Sequence, residues 1–148
     1  MAAYHLAQLN IAQMRTPMDS PEMADFVANL DRINALADGT PGFVWRLAGD
    51  DGNATAFRPF GDDTLVNLSV WDNVDALGAF VYKTAHVEIM KRRKEWFDRM
   101  EQAYMVLWWV PAGHRPDEAE AMQRLQTLRD FGPTDKAFTF KQPFPAPL

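Results

Sequence analysis

The sequence predicts an α+β domain in which strands and helices follow the order β-α-β-β-α-β, with a further helix and a proline-rich arm behind them. Three observations lead there. Short apolar or aromatic runs recur at Tyr4–Ile11, Gly42–Leu47, Thr64–Trp71 and Tyr104–Pro111, the first with no breaker in it. Longer stretches with apolar residues at helical spacing lie between the first two runs and between the last two. Gly, Pro, Asn and Asp gather at the joints. This is the split arrangement of ferredoxin-like sheets.

Tyr4–Ile11 alternates loosely and reads as the first strand. Ser20-Pro21 then supplies an N-cap and a proline at the first helical position. Met23, Phe26, Val27, Leu30, Ile33 and Ala37 form one apolar stripe, which stops at Asp38-Gly39. Gly42–Leu47 (GFVWRL) is a short aromatic strand. Residues 49–63 are rich in Gly, Asp, Asn and Pro and read as a loop, with a loose hairpin around 54–58.

Thr64–Trp71 (TLVNLSVW) is the clearest strand, and Asp72 is expected to cap the helix behind it. Val74, Leu77, Phe80 and Val81 mark that helix's buried side. His86 lies nine residues beyond Leu77, about half a turn away at ~100° per residue, so the two cannot share a face of one straight helix. A break near Lys83–Ala85 follows, with a new stripe through Ile89, Met90, Arg93, Trp96, Phe97 and Met100. Tyr104–Pro111 (YMVLWWVP) is the fourth strand. Pro116 opens the last helix, with Asp117, Glu118 and Glu120 favourably placed against its dipole. Ala119, Met122, Leu125 and Leu128 are its stripe, and Gly132-Pro133 ends it. The domain is expected over residues 1–132. Residues 133–148 are expected to be an arm lying on this subunit or on a partner, too rich in proline for a core strand except around Ala137–Lys141.

The chain has 148 residues, 47% hydrophobic and 24% charged, the balance of one globular domain. It has no cysteine, which excludes disulfides, thiol catalysis and cysteine-ligated metal. A net charge of −5 argues against nucleic acid, whose phosphates need a basic surface. The N-terminus shows neither a basic leader nor a long apolar core, and no apolar run approaches the roughly 20 residues of a membrane helix. A cytoplasmic location is expected. Lys91-Arg92-Arg93-Lys94 is the one basic run. It reads as a solvated helix face, with a rim that draws in a small anion as the sharper alternative.

The strand faces are informative. Val66, Leu68 and Val70 make one wholly aliphatic face, expected to pack on the helices. The opposite face carries Leu65, Asn67, Ser69 and Trp71, too aromatic for solvent and too polar for plain core. The first strand splits alike, with Tyr4, Leu6, Gln8 and Asn10 on one side and His5, Ala7, Leu9 and Ile11 on the other. These strands neighbour each other in a ferredoxin-like sheet, so the mixed faces merge and need a cover. A partner's sheet or a ligand would supply it, and a dimeric α/β barrel supplies both. Trp45 and either Trp108 or Trp109 would add to that surface. The plainer alternative is that Asn67 and Ser69 satisfy each other inside a sheet–sheet interface.

Trp71-Asp72-Asn73-Val74-Asp75-Ala76-Leu77, then Phe80 and His86, resembles the strand-to-helix signature of the dimeric α/β-barrel superfamily, which includes the antibiotic biosynthesis monooxygenases. Across nearly the whole chain, YHLAQLNIA, INALAD, PGFVWRL, LVNLSVW, FVYKTAH, RRKEWF and MVLWWVPAGHRP resemble domain of unknown function 3291. The first resemblance implies a homodimer and a cofactor-independent oxygenation of electron-rich polycyclic phenols. It also implies an Asn and a Trp four residues apart on a pocket-facing strand, which Asn67 and Trp71 match. Asn67 would hold a substrate oxygen as it becomes phenolate, and Trp71 with Trp45 would orient the ring. Gln8, Asn10, Ser69, Tyr82 and Trp109 are the expected substrate-binding residues around them. The second resemblance implies no activity.

His86 has three readings: a structural histidine, a general acid or base with Tyr82 as a second proton carrier, or an axial haem ligand. His5 reads as structural and His114 as solvated. No H-x-x-x-H, H-E-x-x-H, phosphate loop or G-x-S-x-G occurs, so metal, nucleotide and serine-hydrolase chemistry find no support. Two classes remain. One is an enzyme acting on a small aromatic or polyketide-like molecule without a cofactor, with haem the lesser alternative. The other is a non-catalytic dimeric ligand-binding or structural protein. A barrel packed solid by Trp45, Trp71 and Trp109 would exclude the enzyme.

Overall fold

The computed structural model describes residues 3–49, 58–83 and 86–147. Strands β1 (Tyr4–Gln13), β2 (Phe43–Arg46), β3 (Thr64–Trp71) and β4 (Met105–Pro111) form one antiparallel sheet in the order β2-β3-β1-β4. Helix α1 (Ala24–Asp38) follows β1, and α2 (Val74–Lys83), α3 (His86–Lys91) and α4 (Arg93–Trp96) follow β3. Helix α5 (Glu118–Phe131) comes last. The fold is the ferredoxin-like α+β sheet expected from the sequence, with its extra C-terminal helix and arm.

The sheet is covered on both faces by this chain. Ala7, Leu9 and Ile11 of β1, Val66, Leu68 and Val70 of β3, and Val106, Trp108 and Val110 of β4 form one cluster with Ala121, Leu125 and Leu128 of α5. The aliphatic face therefore packs on a helix as expected, and that helix is α5. The mixed face carries Leu6, Trp71 and Leu107 against Ala37 of α1 and Leu77 and Phe80 of α2. Its far end joins Met14, Leu65 and Met23 to Trp96 and Phe97. The expected cover for the mixed face was a partner's sheet or a ligand; α1, α2 and α3 supply it instead, leaving a space beneath them. The order of residues could not say which helix takes which face, because both faces of a central strand are apolar enough to be buried.

Several caps differ from expectation. Ser20 makes no side-chain cap; its hydroxyl bonds Thr16 Oγ1 and the Pro17 carbonyl, and Pro21–Met23 is a 3-10 turn ahead of α1. Asn73, not Asp72, caps α2, its Oδ1 accepting from the Ala76 amide at 2.8 Å. Helix α2 ends at Lys83 and α3 starts at His86, and the break expected near Lys83–Ala85 falls on residues outside the described ones, save Lys83. The helical stripe expected to reach Met100 stops at Trp96, where Phe97 turns extended and bridges Met14. At α5, Asp117 caps through the Glu120 amide, and Ala121 replaces the exposed Ala119 in the buried stripe.

Of the arm, Phe138 pairs with Leu107 through two 2.8 Å backbone hydrogen bonds at the β4 edge. The hairpin expected around 54–58 falls outside the described residues, save Arg58. No helix among the described residues is long and apolar enough to cross a membrane.

Candidate functional site

Between the mixed sheet face and α1–α3 lies a cavity of about 320 Å³, within the size range of small-molecule sites. Its two ends are aromatic. At one, Trp71 stacks on Phe80 with centroids 5.3 Å apart and meets Phe43 edge-on at 5.3 Å. At the other, Phe26 packs against Trp96 and Phe97 at 5.4 and 5.1 Å. Phe140 of the arm closes part of the wall and meets Tyr82 at 5.6 Å.

The middle is polar, and the register makes it so. Gln8 stands opposite Ser69 and Asn10 opposite Asn67 across the β1–β3 ladder, so period-two alternation brings all four to one side. Gln8 Nε2 donates to Ser69 Oγ at 2.7 Å and to Asn67 Oδ1 at 2.5 Å. Asn10 Nδ2 donates to Gln8 Oε1 at 3.2 Å, and Trp71 Nε1 donates to Ser69 Oγ at 2.9 Å. Gln8 and Ser69 are 2% and 5% exposed, whereas Asn67 is open to solvent. A buried carboxamide survives only when bonded, and here every polar atom of Gln8 is engaged.

Of the residues singled out in the sequence, Gln8, Asn10, Asn67, Ser69, Trp71 and Tyr82 all line this cavity. Tyr82 is largely exposed at its edge. Trp45 and Trp109 do not line it. A register shift between Phe43 and Trp45 puts Trp45 opposite Val70, so its ring joins the aliphatic face, with Arg115 above it. Trp109 stands on the mixed face, but the arm covers it: its indole N–H donates to the Phe144 carbonyl at 2.9 Å and its ring lies against Phe138. Trp108 is on the α5 face, donating to Glu120 Oε2. His86 is the first residue of α3, and its side chain lies outside the described residues.

Sequence reasoning missed the helix-borne and arm-borne walls as site residues: Phe26, Ile33, Met90 and Phe140. Phe26 and Ile33 were legible as an apolar stripe but not as cavity wall. Two cations also border the space. Arg46 is held by Asp38 (Nε–Oδ1 2.8 Å), and Arg93 lies 4.6 Å over the Tyr104 ring. The basic run is thus not one solvated face. Its Arg92 pairs with Glu95 and Asp25; the Glu95 carboxyl is held below its ordinary range by the hydrogen bond from Arg92, and Arg92 is raised in turn. His114, expected to be solvated, bonds Glu120 Oε1 at 2.7 Å. His5 lies 3.8 Å from Asp72, with its buried Nδ1 lacking a partner among the described residues. No cluster of three or more potential metal ligands occurs among the described residues.

A family model, Domain of unknown function (DUF3291), matches residues 5–148, and the chain belongs to that family. No curated protein matches it. Among solved structures, the chain is similar to NE2512, a protein of unknown function from Nitrosomonas europaea, at 14% identity over 78% of this chain and 95% of that one, with a TM-score of 0.48. It is also similar to SnoaB, a cofactor-independent oxygenase from Streptomyces nogalater, at 18% identity over 79% of this chain and 100% of that one, with a TM-score of 0.46. Rv0793 from Mycobacterium tuberculosis is similar at 14% identity over 78% and 98%, with a TM-score of 0.47.

Proposed function

We propose that the cavity takes a small, electron-rich aromatic or polyketide-like molecule and promotes its oxidation by molecular oxygen without a cofactor. The observation that supports this is the row Gln8–Asn67–Ser69, a strip of polar side chains between two aromatic ends of a cavity that Arg46 and Arg93 border. Apolar walls bind a ring system by removing it from water. A polar strip at mid-length fixes which edge of the ring faces the sheet. In this reading Asn67 donates to a ring oxygen as it ionises, Trp71 sets the ring plane, and Tyr82 and His86 are the proton carriers.

Ionising a phenol raises the ring's electron density, and the reactive ring carbon then passes electrons to O₂. For an activated CH₂ the balance is R₂CH₂ + O₂ → R₂C=O + H₂O: one oxygen atom stays on carbon and the other leaves as water with the two hydrogens. The test is oxygen uptake by the purified chain with an anthrone in the presence of a metal chelator. Uptake that falls at least about tenfold in Asn67→Ala supports the reading. Saturable anthrone binding without uptake assigns the chain to the non-catalytic ligand-binding class instead.

A further inference from the structure

We infer that Gln8 and Ser69 make the polar row a one-way donor site, so that the cavity selects ligands carrying an acceptor oxygen — a phenolate, enolate or carbonyl — and holds it with the Ser69 hydroxyl beside the Asn67 carboxamide. The inference rests on the aromatic-cavity reading and specifies what that cavity prefers.

Two groups here have fixed roles, the indole N–H of Trp71 and the backbone carbonyl of Asn67, and the carboxamides are oriented against them. An indole N–H only donates, so Ser69 Oγ accepts from Trp71 at 2.9 Å. A backbone carbonyl only accepts. Gln8 Nε2 lies 3.3 Å from the Asn67 carbonyl, beside which a nitrogen is favoured over an oxygen, and this orientation gives the Gln8 oxygen to Asn10 Nδ2. The two hydrogens of Nε2 go to Ser69 Oγ and Asn67 Oδ1, the two short contacts, and the longer approach to the carbonyl takes neither. Both lone pairs of the Ser69 hydroxyl are now occupied, from two different sides. Its own hydrogen has no acceptor among the described residues, although Ser69 is 5% exposed and lines the cavity. Asn67, with its oxygen claimed by Gln8, is left with its NH₂ to offer.

The bonds that Ser69 and Asn67 make within the network are thus bonds they accept, and what these two β3 side chains have left to give is hydrogen. A hydroxyl held as a double acceptor is a polarised donor, because each bond it accepts strengthens the one it makes. Aimed from a buried strand into apolar space, such a donor favours a negative or carbonyl oxygen over a hydroxyl hydrogen. Gln8 touches no ligand in this account. It is a positioning residue that fixes the orientation of both donors.

The experiment uses the full chain with 2-naphthol, whose ionisation is read by absorbance, and naphthalene as the control without oxygen. Bound 2-naphthol is expected to ionise at a pH lower than in water by about one unit or more. Ser69→Ala should lose about tenfold in naphtholate affinity while naphthalene binds as before, and Ser69→Thr, which keeps the hydroxyl, should retain the preference. Gln8→Glu has nearly the same shape but an acceptor where the donor was. It should turn Ser69 and Asn67 inward and abolish the shift, which keeps the test open if Ser69→Ala does not fold. Naphthalene binding together with a naphthol that ionises as in water overturns the inference alone. Naphthalene failing to bind overturns the aromatic-cavity reading and the inference with it.

Discussion

The Trp71 indole N–H donates to the hydroxyl of Ser69, two residues earlier on the same face of β3, at 2.9 Å with both groups buried. The bond ties the aromatic end of the cavity to its polar middle. Trp71→Phe keeps a ring but removes the donor and leaves a void, and should cost about 1–4 kcal/mol. Urea unfolding measures it; a midpoint unchanged from the parent would show that the indole N–H contributes nothing.

Helix α5 holds the aliphatic face through Leu125, which is fully buried, while Phe131 at its end is 75% exposed. Leu125→Ala should cost about 2–5 kcal/mol, from lost transfer energy and a residual cavity. Phe131→Ser should stay within about 0.5 kcal/mol. Equal losses at both positions would mean that α5 does not seat as described.

Sheet-to-sheet pairing through the aliphatic face requires α5 to leave it, since one surface cannot hold both. Leu125→Asp, which places an unpaired charge against that face, should loosen α5 and raise the mass seen by light scattering relative to the parent. An unchanged mass with α5 demonstrably displaced would show that the uncovered face does not self-associate.

Gly42 has φ +88° and lies against α2, where a Cβ would run into Ala76 Cβ. Gly42→Ala combines an unfavourable backbone region with overpacking and should cost roughly 2–5 kcal/mol. Adding Ala76→Gly should restore the overpacking part only, a non-additivity that a double-mutant cycle reads directly. Full additivity would place the whole cost in the backbone.

Arg92 joins α4 to α1 through Glu95 and Asp25. The Glu95 carboxyl is lowered in the folded chain from its ordinary 4.5, chiefly by the hydrogen bond from Arg92. A depressed folded value means that the contribution is present above the unfolded pKa and disappears as pH falls through the folded one. In low salt, the parent should melt slightly above Glu95→Gln near neutrality, with the two converging as acid protonates Glu95. A gap that persists in strong acid would point to a cause other than charge.

The strand order and both main helices were legible because apolar periodicity reports which segments must be buried. The mixed character of the face holding Gln8, Asn10, Asn67 and Ser69 was equally legible, since alternation on β1 and β3 needs no tertiary knowledge. The identity of its cover was not. Leu77 and Leu125 look alike in a sequence, and only packing assigns one to each side of the sheet. Trp45 was misplaced because a register shift reverses a strand's faces without leaving a mark in composition. Trp109 kept its face but went to the arm, a contact between segments that no local pattern encodes. Phe140 was missed for the same reason.

The arm closes the cavity from a segment later in the chain than everything it closes. On a growing chain, β1 to β4 and α1 to α4 have emerged before Phe140, so the site gains this part of its wall last. In the finished molecule the arm is held by the Phe138–Leu107 pair of backbone bonds at the β4 edge, by the Trp109 indole on the Phe144 carbonyl and by Arg124 on the Lys136 carbonyl. Ala137 and Phe138 are wholly buried within the core, so lifting the segment breaks packing as well as backbone bonds. A chain cut before residue 133 would therefore lose a wall of the cavity and a piece of the core in the same stroke, because Phe140 and Phe138 belong to one segment.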